Sequence, residues 1–109
     1  MSLYLCRVGY TSDAFKGMIA NPEDRAAPVK ALFEAAGMKL QHIWFSPSTF
    51  ETIMIVEGDI VAGTTAEIVV MASGAVADLS TIELITTQQH LGAMKAAATV
   101  AAKYRAPGK

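Results

Sequence analysis

The chain predicts an α+β protein, a ferredoxin-like β-α-β-β-α-β plait followed by one further helix. Three observations carry that expectation. Residues 38–57 read as two strands rich in β-branched and aromatic residues around a Ser46-Pro47-Ser48-Thr49 turn, which is a hairpin signal. A helical pattern separates this hairpin from an alternating stretch on each side. Two right-handed crossovers interleaved in this way give a four-stranded antiparallel sheet in the order 4-1-3-2, with helices on one side.

The elements follow in order. Ser2 to Gly9 alternates Leu3, Leu5 and Arg7 against Tyr4, Cys6 and Val8, as a strand does. Thr11-Ser12-Asp13 offers helix caps, and Ala14 to Ala20 makes a short helical turn. A second start follows, in which Asn21 caps, Pro22 takes the first helical position, and Glu23 and Asp24 suit the positive helix end. That helix is expected to run to Ala36, kinked or restarted at Pro28 and stopped by Gly37. After the hairpin, Gly58-Asp59 introduces a helix from Ile60 to Ser73. It is so rich in Ala, Val and Ile that much of its surface should be covered. Asp78 to Ile85 reads as the fourth strand, and Thr86 or Thr87 caps a last helix that runs to Tyr104. Residues 1–104 form one domain, and residues 105–109 a frayed tail.

Alternation divides the sheet into two faces. Tyr4, Cys6, Val8, Ile43, Phe45, Ile53, Ile55, Ile82 and Leu84 form an apolar set that belongs beneath the helices. The opposite set collects Leu3, Leu5, Arg7, Leu40, His42, Trp44, Thr52, Met54, Val56, Thr81, Glu83 and Ile85. It is too apolar for water and too polar for a simple core, so association between copies is expected to bury it. The composition agrees: 52% of residues are hydrophobic and only 17% charged, which is rich for a small monomer. A net charge of -1 argues against nucleic acid. Charged residues interrupt every apolar run before the length of about 20 residues that spans a bilayer. No signal peptide is visible, and the single cysteine, Cys6, fits a reducing compartment. A soluble, cytoplasmic homo-oligomer is the resulting expectation.

The chain also resembles a known family. Arg7-Val8-Gly9-Tyr10-Thr11, Lys16-Gly17 and Asn21-Pro22-Glu23-Asp24-Arg25 look like the GYD domain family of small bacterial and archaeal proteins. So do the Gly37-Met38-Lys39-Leu40 step and Ala72-Ser73-Gly74-Ala75-Val76, and the resemblance covers roughly residues 3 to 95. The departure falls on the motif that names the family, where Ser48-Thr49-Phe50-Glu51 stands in place of Gly-x-Tyr-Asp. An aromatic and a carboxylate are kept, and the glycine and phenol are lost. Membership implies a dimeric α/β barrel, related to small monooxygenases and isomerases, in a family with no settled activity.

The candidate site residues lie on the mixed face. Arg7 and Glu83, on adjacent strands, could form a cross-strand pair that orients an anionic or carbonyl ligand, or merely neutralise each other. His42 beside Trp44 could serve as a general base, or be an interface histidine with its ring nitrogens satisfied. Thr52 and Met54 complete the expected cavity wall. Tyr10 and Glu51 stand at its rim, although regular alternation puts both on the helix side. Cys6 reads as an inert buried thiol, and His90 as a solvated helix residue. There is no H-x-H, no E-x-x-H and no second histidine at ligand spacing, so no dedicated metal or haem site is expected, and no other cofactor is assigned.

No reaction is specified by these residues. Three functions remain open. The first is small-ligand binding in a cavity lined by Arg7, His42, Trp44, Thr52, Met54 and Glu83. The second is a cofactor-free oxygenase or isomerase acting on an activated carbonyl compound, with His42 as base and Arg7 stabilising an oxyanion. The third is a purely structural assembly domain.

Overall fold

The computed structural model describes residues 2–109. In chain order these form β1 (Ser2–Tyr10), α1 (Ser12–Ala20), α2 (Ala26–Ala35), β2 (Lys39–Ser46), β3 (Glu51–Gly58), α3 (Ile60–Ala72), β4 (Val76–Leu84) and α4 (Thr87–Ala101). The strands make one antiparallel sheet in the order β2-β3-β1-β4, which from the opposite edge reads β4-β1-β3-β2. Helices α2 and α3 cover one face over a core of Tyr4, Cys6, Val8, Phe33, Met54 and Val56.

Local chemistry sets the element ends. Thr11 caps α1, its hydroxyl accepting from Ala14 N–H at 3.2 Å, and Asp59 caps α3 by accepting from Val61 N–H at 3.0 Å. Thr86 and Gln89 close a capping box at the start of α4. The start of α2 differs from the sequence expectation. Asn21 to Asp24 lie outside the helix, and the Asp24 carboxylate accepts from Ala26 N–H at 2.8 Å. Pro28 therefore falls in the first turn, where a missing N–H costs no intrahelical bond, and the expected kink is not needed. Gly37, at φ 86°, ends α2 in the left-handed conformation foreseen for it.

The hairpin turn lies one residue later than the expected Ser46-Pro47-Ser48-Thr49, because Ser46 is still paired in β2. Residues 47–50 connect the paired Ser46 and Glu51, Phe50 N–H donates to Ser46 C=O at 2.8 Å, and Phe50 itself takes φ 58°. Its ring packs on Phe15 and Phe45 at centroid distances of 5.8 and 5.4 Å, which holds this uncommon backbone in place.

Pairing corrects the division of faces for β3 and β4. Buried Tyr4, Cys6 and Val8 stand opposite Val56, Met54 and Thr52, which are buried with them. On the other side they stand opposite Glu83, Thr81 and Leu79. Thr52, Met54, Val56, Thr81 and Glu83 thus belong to the helix side, and Ile53, Ile55, Ile82 and Leu84 to the open face. Leu40, opposite Val56, also turns inward. On β2 a register shift at Gln41 separates Leu40 from His42, so that His42 and Trp44 stay on the open face. That face has an apolar centre of Leu5, Ile53, Ile55 and Ile82 and a rim that includes Arg7, Glu51, Glu57 and Lys39.

Helix α4 stands apart. Every residue from Ile85 to Lys109 is exposed, and among the described residues no close packing of elements involves α4. The Cα radius of gyration is 18.3 Å and the longest dimension 61 Å. A compact chain of this length would have a radius of gyration of about 13 Å. The helix ends at Ala101, short of Tyr104, and Ala106 to Lys109 form a final turn.

Candidate functional site

A cavity of about 260 Å3 lies between the helix side of the sheet, α2 and α3. It is enclosed where α2 and α3 cross the part of the sheet that carries Cys6, Val8, Tyr10 and Thr52. Cys6, Val8, Thr52 and Met54 form the floor, Val29 and Leu32 of α2 one wall, and Val69 and Val70 of α3 the other. The lining is mostly apolar, with polar groups at separate points. At one, Tyr10 Oη and Thr52 Oγ1 share a hydrogen bond of 2.7 Å. At another, Glu67 of α3 reaches the sheet and accepts a hydrogen bond from Thr81. The Thr81 hydroxyl is in turn 3.9 Å from Cys6 Sγ. Arg25 joins the lining and is tied to Glu23 at 2.5 Å.

Burial pushes the Cys6 thiol above its ordinary pKa; the Thr81 hydrogen bond opposes that shift and the neighbouring Glu67 charge adds to it. A neutral thiol is a weak nucleophile, so Cys6 acts here as a small apolar wall residue.

The expected site residues are not one constellation. Arg7, His42 and Trp44 are on the open face, whereas Thr52 and Met54 floor the helix-side cavity. Glu83 borders a separate helix-side groove with Asp59 and Ile60. Arg7 therefore does not pair with Glu83. Its guanidinium donates instead to Glu51 Oε1 at 2.7 Å. That bond, then a second from the Thr49 side chain, holds the Glu51 carboxyl below the usual carboxylate range. Glu51 is thus an open-face residue, and Tyr10 alone of the two rim candidates faces the helices. Arg7 Nε is shielded from solvent with no hydrogen-bond partner among the described residues.

His42 and Trp44 stack with centroids 5.0 Å apart and planes 9° from parallel. Ile53 stands between Arg7 and Trp44 in the cross-strand row. An Arg7–His42 pair acting on one small substrate would have to reach across that strand. His90 lies on the exposed α4. Among the described residues no group of three or more His, Cys, Asp or Glu side chains could hold a metal ion, and no helix is long and apolar enough to cross a membrane.

Sequence reasoning missed Glu67, Leu32 and Val70 as site residues. Glu67 did leave a signal, because it is the lone charge in α3. A carboxylate placed once in an apolar helix has a partner to reach, and here that partner is Thr81. Comparison with protein-family models gives no match for this chain, and comparison with curated proteins gives none either.

Proposed function

We propose that the chain binds a small, largely apolar molecule carrying a hydrogen-bonding group, in the cavity beneath α2 and α3. The cavity itself is the observation that carries this reading. Its volume exceeds the roughly 150 Å3 that suffices for benzene in an engineered protein core. A mostly apolar lining with a few fixed polar groups is the usual composition of a ligand site. The Tyr10–Thr52 pair can exchange a hydrogen bond with a ligand, and the Glu67 carboxylate can accept one from a hydroxyl or amide.

Titration with indole and 4-methylphenol, followed by amide chemical shifts, tests the reading. Shifts should centre on Cys6, Thr52, Leu32 and Val70, and Val70→Trp, which fills the space, should weaken binding at least tenfold. Equal binding by that variant, or shifts confined to the open face, would end the proposal.

The open face supports a second element of the proposal, assembly into a homo-oligomer. An apolar centre within a charged rim is the composition of an interface between subunits, and Trp44 and Ile82 are 56% and 48% exposed. A dimeric barrel of the GYD kind would bury this face, which agrees with the resemblance noted in residues 3 to 95. A single buried thiol suits a reducing compartment such as the cytoplasm. The oxygenase or isomerase alternative lacks support, because Arg7 is engaged by Glu51 and separated from His42.

A further inference from the structure

We infer that α4 is an exchanged arm, which seats on the acidic helix-side groove between β1, β4 and the start of α3 in a second copy of this chain. Three independent observations lead there. First, α4 is a well-capped helix that packs closely on nothing among the described residues, and helices of its length are marginal in water without a surface to cover. Second, it has an apolar stripe in need of that surface: Leu91 and Met94 share one side with Lys95 and Ala98, and both large side chains are about half exposed.

The third observation is charge, and it identifies the occupant. Lys95, Lys103, Arg105 and Lys109 lie on or beyond α4, with no acidic residue between Thr87 and Lys109. All ten acidic side chains lie before residue 87, with only five basic ones. Arm and body therefore carry opposite charge. Among the grooves of the body, one of about 560 Å3 is bordered by Asp59, Glu83, Tyr4 and Ile60 and by no basic residue. Asp59, Ile60 and Glu83 are exposed, and the neighbouring Val61 of α3 is 68% exposed. An apolar helix with a basic flank fits this acidic, partly apolar groove.

The chain's own arm leaves β4 beside Glu83 and runs away from the body. Seating on a second copy needs no reversal at Ile85-Thr86, and a two-fold pair makes each contact twice. This interface is distinct from the open sheet face.

Crosslinking of full-length chains tests the inference, since Cys6 is buried and does not compete. A Lys95→Cys chain and a larger, tagged Glu83→Cys chain are refolded together and oxidised. The expected product is a covalent heterodimer. Recovery of monomers only, or of Lys95→Cys homodimers only, would overturn the inference. In a second measurement, Asp59→Lys with Glu83→Lys should weaken association at least tenfold in sedimentation, and Lys95→Glu with Lys103→Glu in the same chain should restore it. Restoration locates the charge contact even if the first pair alone impairs folding; unchanged association in both variants would overturn the arm.

Discussion

Met38 fills its place because two glycines leave room for it. A Cβ on Gly58 would stand 2.9 Å from Met38 Cγ, and one on Gly63 3.3 Å from its sulfur. Met38 is 5% exposed and joins the end of β3 to the start of α3. Gly58→Ala should therefore cost about 1–3 kcal/mol through overpacking, read as a lower urea midpoint with unchanged slope. Glu51 supplies a prediction with a sign. Its pKa is depressed in the folded protein, so its contribution is present above about pH 4.5 and is lost as pH falls through the lower folded value. Arg7→Met should accordingly be less stable than the native chain at neutral pH. The difference should shrink on acidification below that point; a constant difference in pH-dependent denaturation would contradict the pairing. The single Arg7 was legible in the sequence as a charge needing a partner. Which carboxylate answers it depends on strand register, and composition does not encode that.

At the scale of elements, most of the secondary structure was readable because capping side chains and glycines mark their own positions. Thr86 shows how local that information is. Its hydroxyl accepts from Gln89 N–H at 3.0 Å, and Gln89 Oε1 accepts in turn from Thr86 N–H at 2.8 Å. Thr86→Ala should destabilise α4 by about 1 kcal/mol, measured as faster amide exchange in its first turn while β1 is unaffected. The faces of β3 and β4 were harder to read, because hydrophobicity points the wrong way. Ile53 and Ile55 are more apolar than Thr52 and Met54, yet they lie outside. Turn length held the answer. A connection of residues 47–50 places Phe45 opposite Thr52, so if Phe45 faces the helices Thr52 must do so too. The start of α2 followed the same logic: Asn21-Pro22 is a good helix opening, but Asp24 offers a later one that also accommodates Pro28.

At the scale of the whole molecule, large hydrophobic side chains such as Trp44, Val61, Ile68 and Ile82 stand exposed among the described residues. The open sheet face, the outer side of α3 and the length of α4 all present large hydrophobic side chains to solvent. Composition alone announced this surplus, and it remains the strongest argument for association. Ile55→Asp, at the centre of the open face, should weaken self-association at least tenfold, or about 1.4 kcal/mol, in sedimentation velocity, with the monomer fold retained. An unchanged oligomer would remove the open face from the assembly. The cavity could not be foreseen in the same way, since its lining is drawn from the sheet, α2 and α3 together and not from any motif.

The register shift at Gln41 governs how such a sticky surface can grow. It lies in β2, at one margin of the sheet, and there the sequence of donors and acceptors falls out of step. A strand from a neighbouring molecule would find a faulty template along that margin. Growth by adding strand to strand, the route to fibres, is thereby discouraged, and contact is left to broad faces and the projecting helix.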